Sequence, residues 1–524
     1  MSKSLYRQFF SIRNTEFLAV VLLCITAVGL PLSACLMSIG TIGLGVLWLV
    51  CGNWKYKIDN LKSNRNLLPI AGLFLISLIW LLNTSNYKYA LHDISIKHVL
   101  LVLPLALGSI NLRQKQTNIV LQVFVVATII SSLASLGIHL GIYVPKKPIL
   151  NIRDITIIPH IRLGLMCVMS VCIIGYNYYK RHATTSSGIK LLLIFAALWL
   201  IYFTILLQTV TSWIVMIVLL CTYLIVYRKR MQKWLFTTSL FGTIGIIAAT
   251  LLYIQNVYSD FYTVKPIDKD LKSKTSLGNA YTHDTTNVLL ENGYYVQRFI
   301  CINELRHTWD SISDIPFDGR DKRNNSIKST IIRFLTSKGY TKDAEGLLSL
   351  TPQEIDAIER GCGCCVFLEK SNIYKRTYEI IWEFDRYKTE NNPNGKSICM
   401  RFEFLKASKY LISNNFWTGV GTGDFRDEFR EAYNHTDSKL SKEYRKLAIC
   451  NQYITFTITF GIIGLLACMY CIIAPFAKSR KRGFLLISFF TLIVVSMISE
   501  NTLDSQAGVL LFGFFYTLLL KEHN

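Results

Sequence analysis

Apolar residues in this chain come in long unbroken runs, not in the stripes of an amphipathic helix or strand. The stretches 17–36, 118–140, 234–254 and 453–473 carry almost no charge. A soluble core helix keeps a polar face, and these keep none. A segment that crosses lipid must satisfy its own backbone hydrogen bonds, so it is a helix of about 20 such residues. By that criterion the chain holds about twelve spans. They lie near 17–36, 38–51, 67–83, 97–110, 118–141, 160–177, 189–207, 211–227, 234–254, 452–476, 483–499 and 506–520. The run from 189 to 227 is too long for one helix and divides at Gln208–Ser212, its only polar cluster. The spans at 38–51 and 97–110 are the shortest.

One segment, 255–451, breaks the pattern. It is polar, mixes Trp and Tyr with charge, and is long enough to fold as its own domain. Thr351-Pro352-Gln353-Glu354 places an N-cap, a Pro at the first helical position and a Glu at the third, a capping box. The helix it opens should stop at Gly361. Residues 326–337 read as an amphipathic helix closed by Gly339, and 401–412 as a helix apolar on one face, suited to a membrane surface. The expected fold is an all-α polytopic membrane protein. Nine helices fall in 1–254, a large, mostly helical insert in 255–451, and three helices in 452–524.

Charge adds orientation. Charged residues are 17% of the 524, below the roughly 25% of soluble domains. The net charge is +22, and the Lys and Arg residues near the spans gather in alternate connections. Lys3, Arg7 and Arg13 precede the first span. Lys55 to Arg65, Arg113 and Lys115, Lys180 and Arg181, Arg228 to Lys233, and Lys478 to Arg482 follow on the same side if there are twelve spans. Positive loops stay cytoplasmic, so both termini are expected there and the insert on the far side. The basic balance is this topological signal and gives no reason to read nucleic acid as a partner. The first apolar run lacks an A-x-A-like end and leads into further spans, so no cleaved signal peptide is expected.

Of 14 cysteines, eight sit in or beside spans as small packing residues. Cys301, Cys362, Cys364, Cys365, Cys399 and Cys450 lie in the insert. The Cys362-Gly363-Cys364-Cys365 spacing fits no standard zinc pattern, so no metal is expected; in an oxidising compartment at least one disulfide is. Charge beside a span marks candidate chemistry. His160 and Arg162 stand at the outer edge of the sixth span, either as interfacial anchors or with Arg162 as a guanidinium fork for a phosphate. Glu500 and Asp504 flank a short turn. Gly419-Val420-Gly421-Thr422-Gly423-Asp424 leads into a helix near 425–433, and reads either as an ordinary turn or as backbone amides offered to an anion.

The order of these features resembles the O-antigen ligase and polymerase superfamily, and more narrowly the Bacteroidetes-type O-antigen ligase-like proteins. The matching stretches are Ile161-Arg162-Leu163, Arg333 to Gly339 with Lys342 to Gly346, Leu350 to Glu359, Arg376-Thr377-Tyr378 with Trp382-Glu383, Arg401-Phe402-Glu403-Phe404, Gly419 to Asp424, Asn451-Gln452-Tyr453, and Glu500 to Gly508. They cover the insert and the last three spans; the early spans match in hydropathy alone. The family usually has His before Asn-Gln-Tyr, where this chain has Cys450. It often has Arg near Gln208–Ser212, where this chain has Gln208, Thr209, Thr211 and Ser212.

The resemblance implies a GT-C-like, metal-independent, inverting glycosyltransferase without cofactor. It would sit in the bacterial inner membrane with its large loop in the periplasm. The donor would be a glycan on undecaprenyl diphosphate, and the acceptor a sugar hydroxyl of lipid A–core or another glycan. It gives Arg162, Arg401 and Arg376 to the diphosphate, His160 or His435 to the base, Asn451 and Gln452 to acceptor orientation, and Glu500 to the support of an Arg. A polymerase would share this chemistry and differ only in acceptor. A flippase for lipid-linked glycan should instead show charge deep in several spans and internal repeats.

Overall fold

The computed structural model describes residues 12–50, 54–143, 149, 152–180, 186–229, 231–266, 271–479 and 482–522. These are mostly helical, and among them the only sheet is a hairpin of Leu290–Glu291 against Tyr294–Tyr295. The chain divides into two compact units. One is Met1–Lys146, Ile152–Ser239 and Pro393–Asn524; the other is Lys147–Asn151 and Leu240–Asn392. The polar stretch expected as one insert over 255–451 is thereby divided. Its residues to Asn392 belong to the second unit, and those from Pro393 fold with the apolar helices.

Among the described residues nine helices are long and apolar enough to cross a membrane: Asn14–Leu32, Arg65–Asn83, Tyr87–Ser109, Gln114–His139, His160–Lys180, Ser187–Leu206, Val210–Tyr227, Lys233–Tyr262 and Gln452–Lys478. This is the build of a multi-pass membrane protein. The other three expected spans fall on shorter apolar helices, Ala34–Val50, Phe484–Ser499 and Gln506–Glu522. Gln506–Glu522 is the centre of the first unit, buried without interruption from Ala507 to Leu520. A helix apolar all round is stable only where other helices surround it, and Val99–Ser109, Phe484–Ser499 and Ala34–Val50 pack against it. Small residues bring neighbours close: a Cβ on Gly40 would lie 2.2 Å from the Thr26 hydroxyl.

The short span expected at 97–110 is longer. It begins at Tyr87, where Asn86 caps by accepting from the Tyr89 amide at 3.1 Å. The added turns carry charge, Lys88 and Asp93. Asp93 and Lys97, one turn apart and both buried, pair at 2.7 Å, and Lys97 also lies 3.8 Å from Asp504. The ammonium is tolerated there because carboxylates face it.

The second unit packs around Leu305, Trp309, Phe317, Ile327, Ile331, Phe334, Leu335 and Ile358. The local signals read from sequence appear in it. Thr351 and Glu354 close the capping box over Pro352–Glu359, and Gly361 follows at a φ of +84°. The helix Ile327–Lys338 ends on left-handed Gly339. Beneath them Glu291, fully buried, accepts from Arg333 Nε (3.0 Å), Arg386 Nη2 (3.3 Å) and Trp382 Nε1 (3.3 Å). Every cysteine among the described residues is a free thiol, so the expected disulfide is not formed. Cys364 and Cys365 are buried side by side, with Cys365 Sγ donating to the Ser337 carbonyl at 3.3 Å.

Candidate functional site

The site forms in the first unit around the turn that joins Phe484–Ser499 to Gln506–Glu522. A 3-10 turn, Thr502–Asp504, folds it back on the second helix. Gly508 permits this, since a Cβ there would lie 2.0 Å from the Thr502 carbonyl. Gln452, fully buried, accepts from the Leu503 amide at 2.7 Å and donates to Asp504 Oδ1 at 3.4 Å. Asn451 caps its own helix by accepting from the Ile454 amide (3.1 Å) and donates to the Ile498 carbonyl (2.8 Å). Asn501 donates to the Ile449 carbonyl at 3.0 Å and accepts from Thr455 at 3.2 Å. Three amides thus fix the turn. Asn451 and Gln452, expected to orient an acceptor, each have one bond to protein at either end of the amide and hold this turn in place.

Arg162 reaches this turn from the second residue after the start of its helix. It is 5% exposed. Its Nη2 donates to the Asn501 carbonyl at 2.9 Å and lies 3.7 Å from Glu500 Oε2; its Nη1 is 3.4 Å from the Thr502 hydroxyl. Arg401, half-buried, donates to the Ser499 carbonyl at 3.4 Å. Burial pushes the Glu500 carboxyl above the usual carboxylate range, against the pull of Arg162 and Arg401. Cys450 belongs to the same group. The residue is exposed by area, yet enough protein surrounds its sulfur that desolvation raises the thiol. Glu500 raises it further, while Arg401 and Arg162 pull it down. The polar turn expected at Gln208–Ser212 is close by. Gly164, two residues after Arg162, lets it approach, since a Cβ there would lie 2.4 Å from Ser212 Oγ. The Thr211 hydroxyl lies 3.1 Å from that of Ser499, next to Glu500. Arg153, which hydropathy gave no reason to single out, donates to Gln208 at 3.3 Å.

Two guanidiniums and one carboxyl with a raised affinity for protons thus meet at one end of the apolar helices. Helix rise places Arg162 roughly 27 Å from Lys180, close to the roughly 30 Å of a hydrocarbon core. The chemistry such a group offers is the binding of a doubly charged oxyanion and a carboxyl able to take a proton beside it.

Other candidates are placed elsewhere. His160 is on the Arg162 helix but two residues earlier, and positions i and i+2 face apart. His435 is exposed, stacks on Tyr410 at 5.3 Å and reaches Glu431 at 3.8 Å. Tyr410 is roughly 13 Å along its helix from Arg401. Arg376 belongs to the second unit and pairs with Glu379 at 2.6 Å. The glycine-rich turn is structural. A Cβ on Gly421 would lie 1.9 Å from the Asn83 carbonyl, and one on Gly423 2.2 Å from that of Asn86. The amides of Val420 and Gly421 donate to the carbonyls of Ile458 and Thr459, and Asp424 accepts from the amides of Ser85 and Asn86. Those amides are spent on protein, which removes the anion-cradle reading. No protein-family model matches this chain, and a search of curated proteins finds no match.

Proposed function

We propose that this protein is a membrane glycosyltransferase that moves a glycan from a polyprenyl-diphosphate donor to a sugar hydroxyl, as an O-antigen ligase does. In this reading twelve helices span the bacterial inner membrane, with both termini cytoplasmic and the Glu500 turn facing the periplasm. The observation that carries it is Arg162, buried at the membrane-surface end of its helix with Arg401 and Glu500 around one turn. A lipid diphosphate holds its charge at that depth. Of the positions that motivate the family resemblance, 162, 401, 451, 452 and 500 lie at this turn, and so do the two places where the chain departs from it, Cys450 and the turn 208–212.

The acceptor oxygen attacks the anomeric carbon from the side opposite the phosphate. The bond from that carbon to the phosphate oxygen breaks, and lipid diphosphate leaves with the electron pair. Arg162 and Arg401 stabilise the charge growing on the leaving oxygen. Glu500, which lies at the turn beside both guanidiniums, receives the hydroxyl proton, a role worth about 10²–10⁴-fold. Diphosphate is a good leaving group, so neither ATP nor a metal is required.

The test mixes purified protein with undecaprenyl-diphosphate glycan and lipid A–core, without ATP or metal. Glycan on lipid A–core supports the ligase; a ladder of longer lipid-linked chains supports a polymerase of the same chemistry. Absence of both products from well-folded protein, across several donor glycans, would sink the proposal.

A further inference from the structure

The helix Cys399–Asn414 buries Cys399, Glu403, Phe404, Ala407, Ser408 and Leu411 and turns a second face outward. That outer face holds Phe402, Leu405 and Lys409, then Phe416 just past the helix, all exposed and spaced about one or two turns apart. Lys406 flanks the stripe, 2.8 Å from Glu403. Trp417 follows, 66% exposed, with its ring against Phe416. An exposed line of aromatic and aliphatic residues with lysines beside it is costly in water. It suits the boundary between lipid tails and phosphate headgroups, where ammonium groups reach outward and rings stay at the edge.

The end of this stripe is tied to a membrane helix. Gln452–Lys478 breaks at Gly461, whose backbone (φ 65°, ψ −173°) is not helical. The segment 416–421 fills the break: the Ile462 amide donates to the Phe416 carbonyl at 2.8 Å, and the Val420 and Gly421 amides donate to Ile458 and Thr459, each at 2.9 Å. Trp80, on the neighbouring span, donates its ring N–H to the Thr418 carbonyl at 2.6 Å. Helix rise sets Gly461 roughly 26 Å from Lys478. With Lys478 at one surface, Gly461 comes within a few ångström of the other edge of a roughly 30 Å core. Ile463 and Leu466, just inside, are exposed as lipid-facing residues are.

We infer that the Cys399–Asn414 helix and the Phe416–Trp417 corner dock on the bilayer surface, with the apolar stripe in the acyl boundary and Lys406 and Lys409 against acidic phospholipid headgroups. The inference requires only that Gln452–Lys478 span a membrane, and it stands or falls apart from the proposed reaction.

The test places the photo-crosslinking residue p-benzoylphenylalanine at Leu405 or Phe416, in the full chain, in nanodiscs of phosphatidylcholine and phosphatidylglycerol. Position 466 is the lipid-facing control and Lys442, an exposed residue away from the stripe, the aqueous one. Lipid adducts at 405 and 416 comparable to those at 466, and above those at 442, are expected. Adducts at the level of 442, or crosslinks to a second copy of the chain in place of lipid, would overturn the docking. In a second arm, Lys406→Glu with Lys409→Glu should lower the phosphatidylglycerol share of the adducts. An unchanged share would overturn the headgroup contact.

Discussion

Deleting the Arg162 guanidinium is the perturbation with the most to say about the proposed site. Arg162→Met keeps much of the apolar stem and removes the donor to the Asn501 carbonyl, the contact with Thr502 and the positive charge 3.7 Å from Glu500. A hydrogen bond from a charged donor contributes about 1.5–3 kcal/mol. Leaving a buried carboxylate without its partner costs on the order of 3 kcal/mol or more. These do not add. Arg162 is the larger of the two groups holding the Glu500 carboxyl down against burial, so without it the carboxyl rises further and takes up a proton more readily. Protonation caps the loss, and the variant should be destabilised by about 2–3 kcal/mol.

Catalysis should suffer more. A fixed donor aimed at charge that grows in the transition state is worth about 10²–10³-fold in kcat, and ground-state attraction for diphosphate adds an effect on KM. The assay measures kcat and KM for glycan transfer beside a thermal melt in the same detergent. Arg162→Lys, which keeps charge without the planar fork, should fall between parent and Met. Combining Arg162→Met with Glu500→Gln should recover part of the lost Tm, because no carboxylate is left stranded, while transfer stays low. If Arg162→Met transferred glycan within about threefold of the parent, the guanidinium would not be at the reacting phosphate and the assignment would be wrong.

Other outcomes follow from the same geometry. If Glu500 accepts the proton it must be ionised, so transfer should decline as pH falls through its raised pKa, above the ordinary carboxylate range; Glu500→Gln should lower kcat by about 10²-fold or more and flatten that limb of the pH–rate profile. The Cys450 thiol is raised and stays neutral at pH 7, so Cys450→Ala should leave kcat within about threefold and thiol alkylation should not mimic loss of a nucleophile. Gly421 has a φ of +100° with the Asn83 carbonyl where a Cβ would go; Gly421→Ala should cost more than about 1 kcal/mol, read as a lower Tm. In the second unit burial lowers the Lys342 ammonium to about 8. A depressed lysine contributes stability that is present above its unfolded pKa and lost as pH falls through the folded one. Wild type should therefore lose about 3 kcal/mol relative to Lys342→Met between pH 10.5 and 8, seen as a Tm difference that grows over that window; a difference constant with pH would refute it.

Much of this fold was legible because lipid imposes a simple rule on backbone and side chains alike. Unbroken apolar runs located the helices that the structure forms, including the separation at Gln208–Ser212, where Gln208 takes a φ of 55°. Local rules found the Thr351 capping box and the Gly339 stop because both depend on residues within one or two turns. Hydropathy failed where a long-range contact decides. Lys88, His92 and Asp93 lower the average over 87–96, so the span seemed to begin at 97. The i,i+4 spacing of Asp93 and Lys97 was the available signal, and the second carboxylate at Lys97, Asp504, comes from more than 400 positions later. The compact units divide at Pro393, away from the expected end of the insert, for a related reason. Residues 393–451 look as polar as the rest of the insert, yet Glu403 is fully buried, accepting from Ser438 and the Lys439 amide within the first unit.

At the site, residue type was readable and residue role was not. Arg162, Arg401 and Glu500 stood out as charge beside apolar segments, and they do meet. Asn451 and Gln452 stood out equally, but an amide can address a ligand or a backbone, and sequence carries no sign of which. Here the backbone takes both ends of Asn451, and the Leu503 amide with the Asp504 carboxylate takes those of Gln452. That commitment has a consequence for the proposed reaction: the turn bearing Glu500 is clamped by Gln452 and Asn501 before any substrate arrives, and Asp504 ties its far end to Lys97. A turn held from both sides gives Arg162 and Glu500 little to reorganise as charge develops, which is the condition under which fixed groups stabilise a transition state more than water would. Catalytic power at such a site resides in the clamp as much as in the charges it holds.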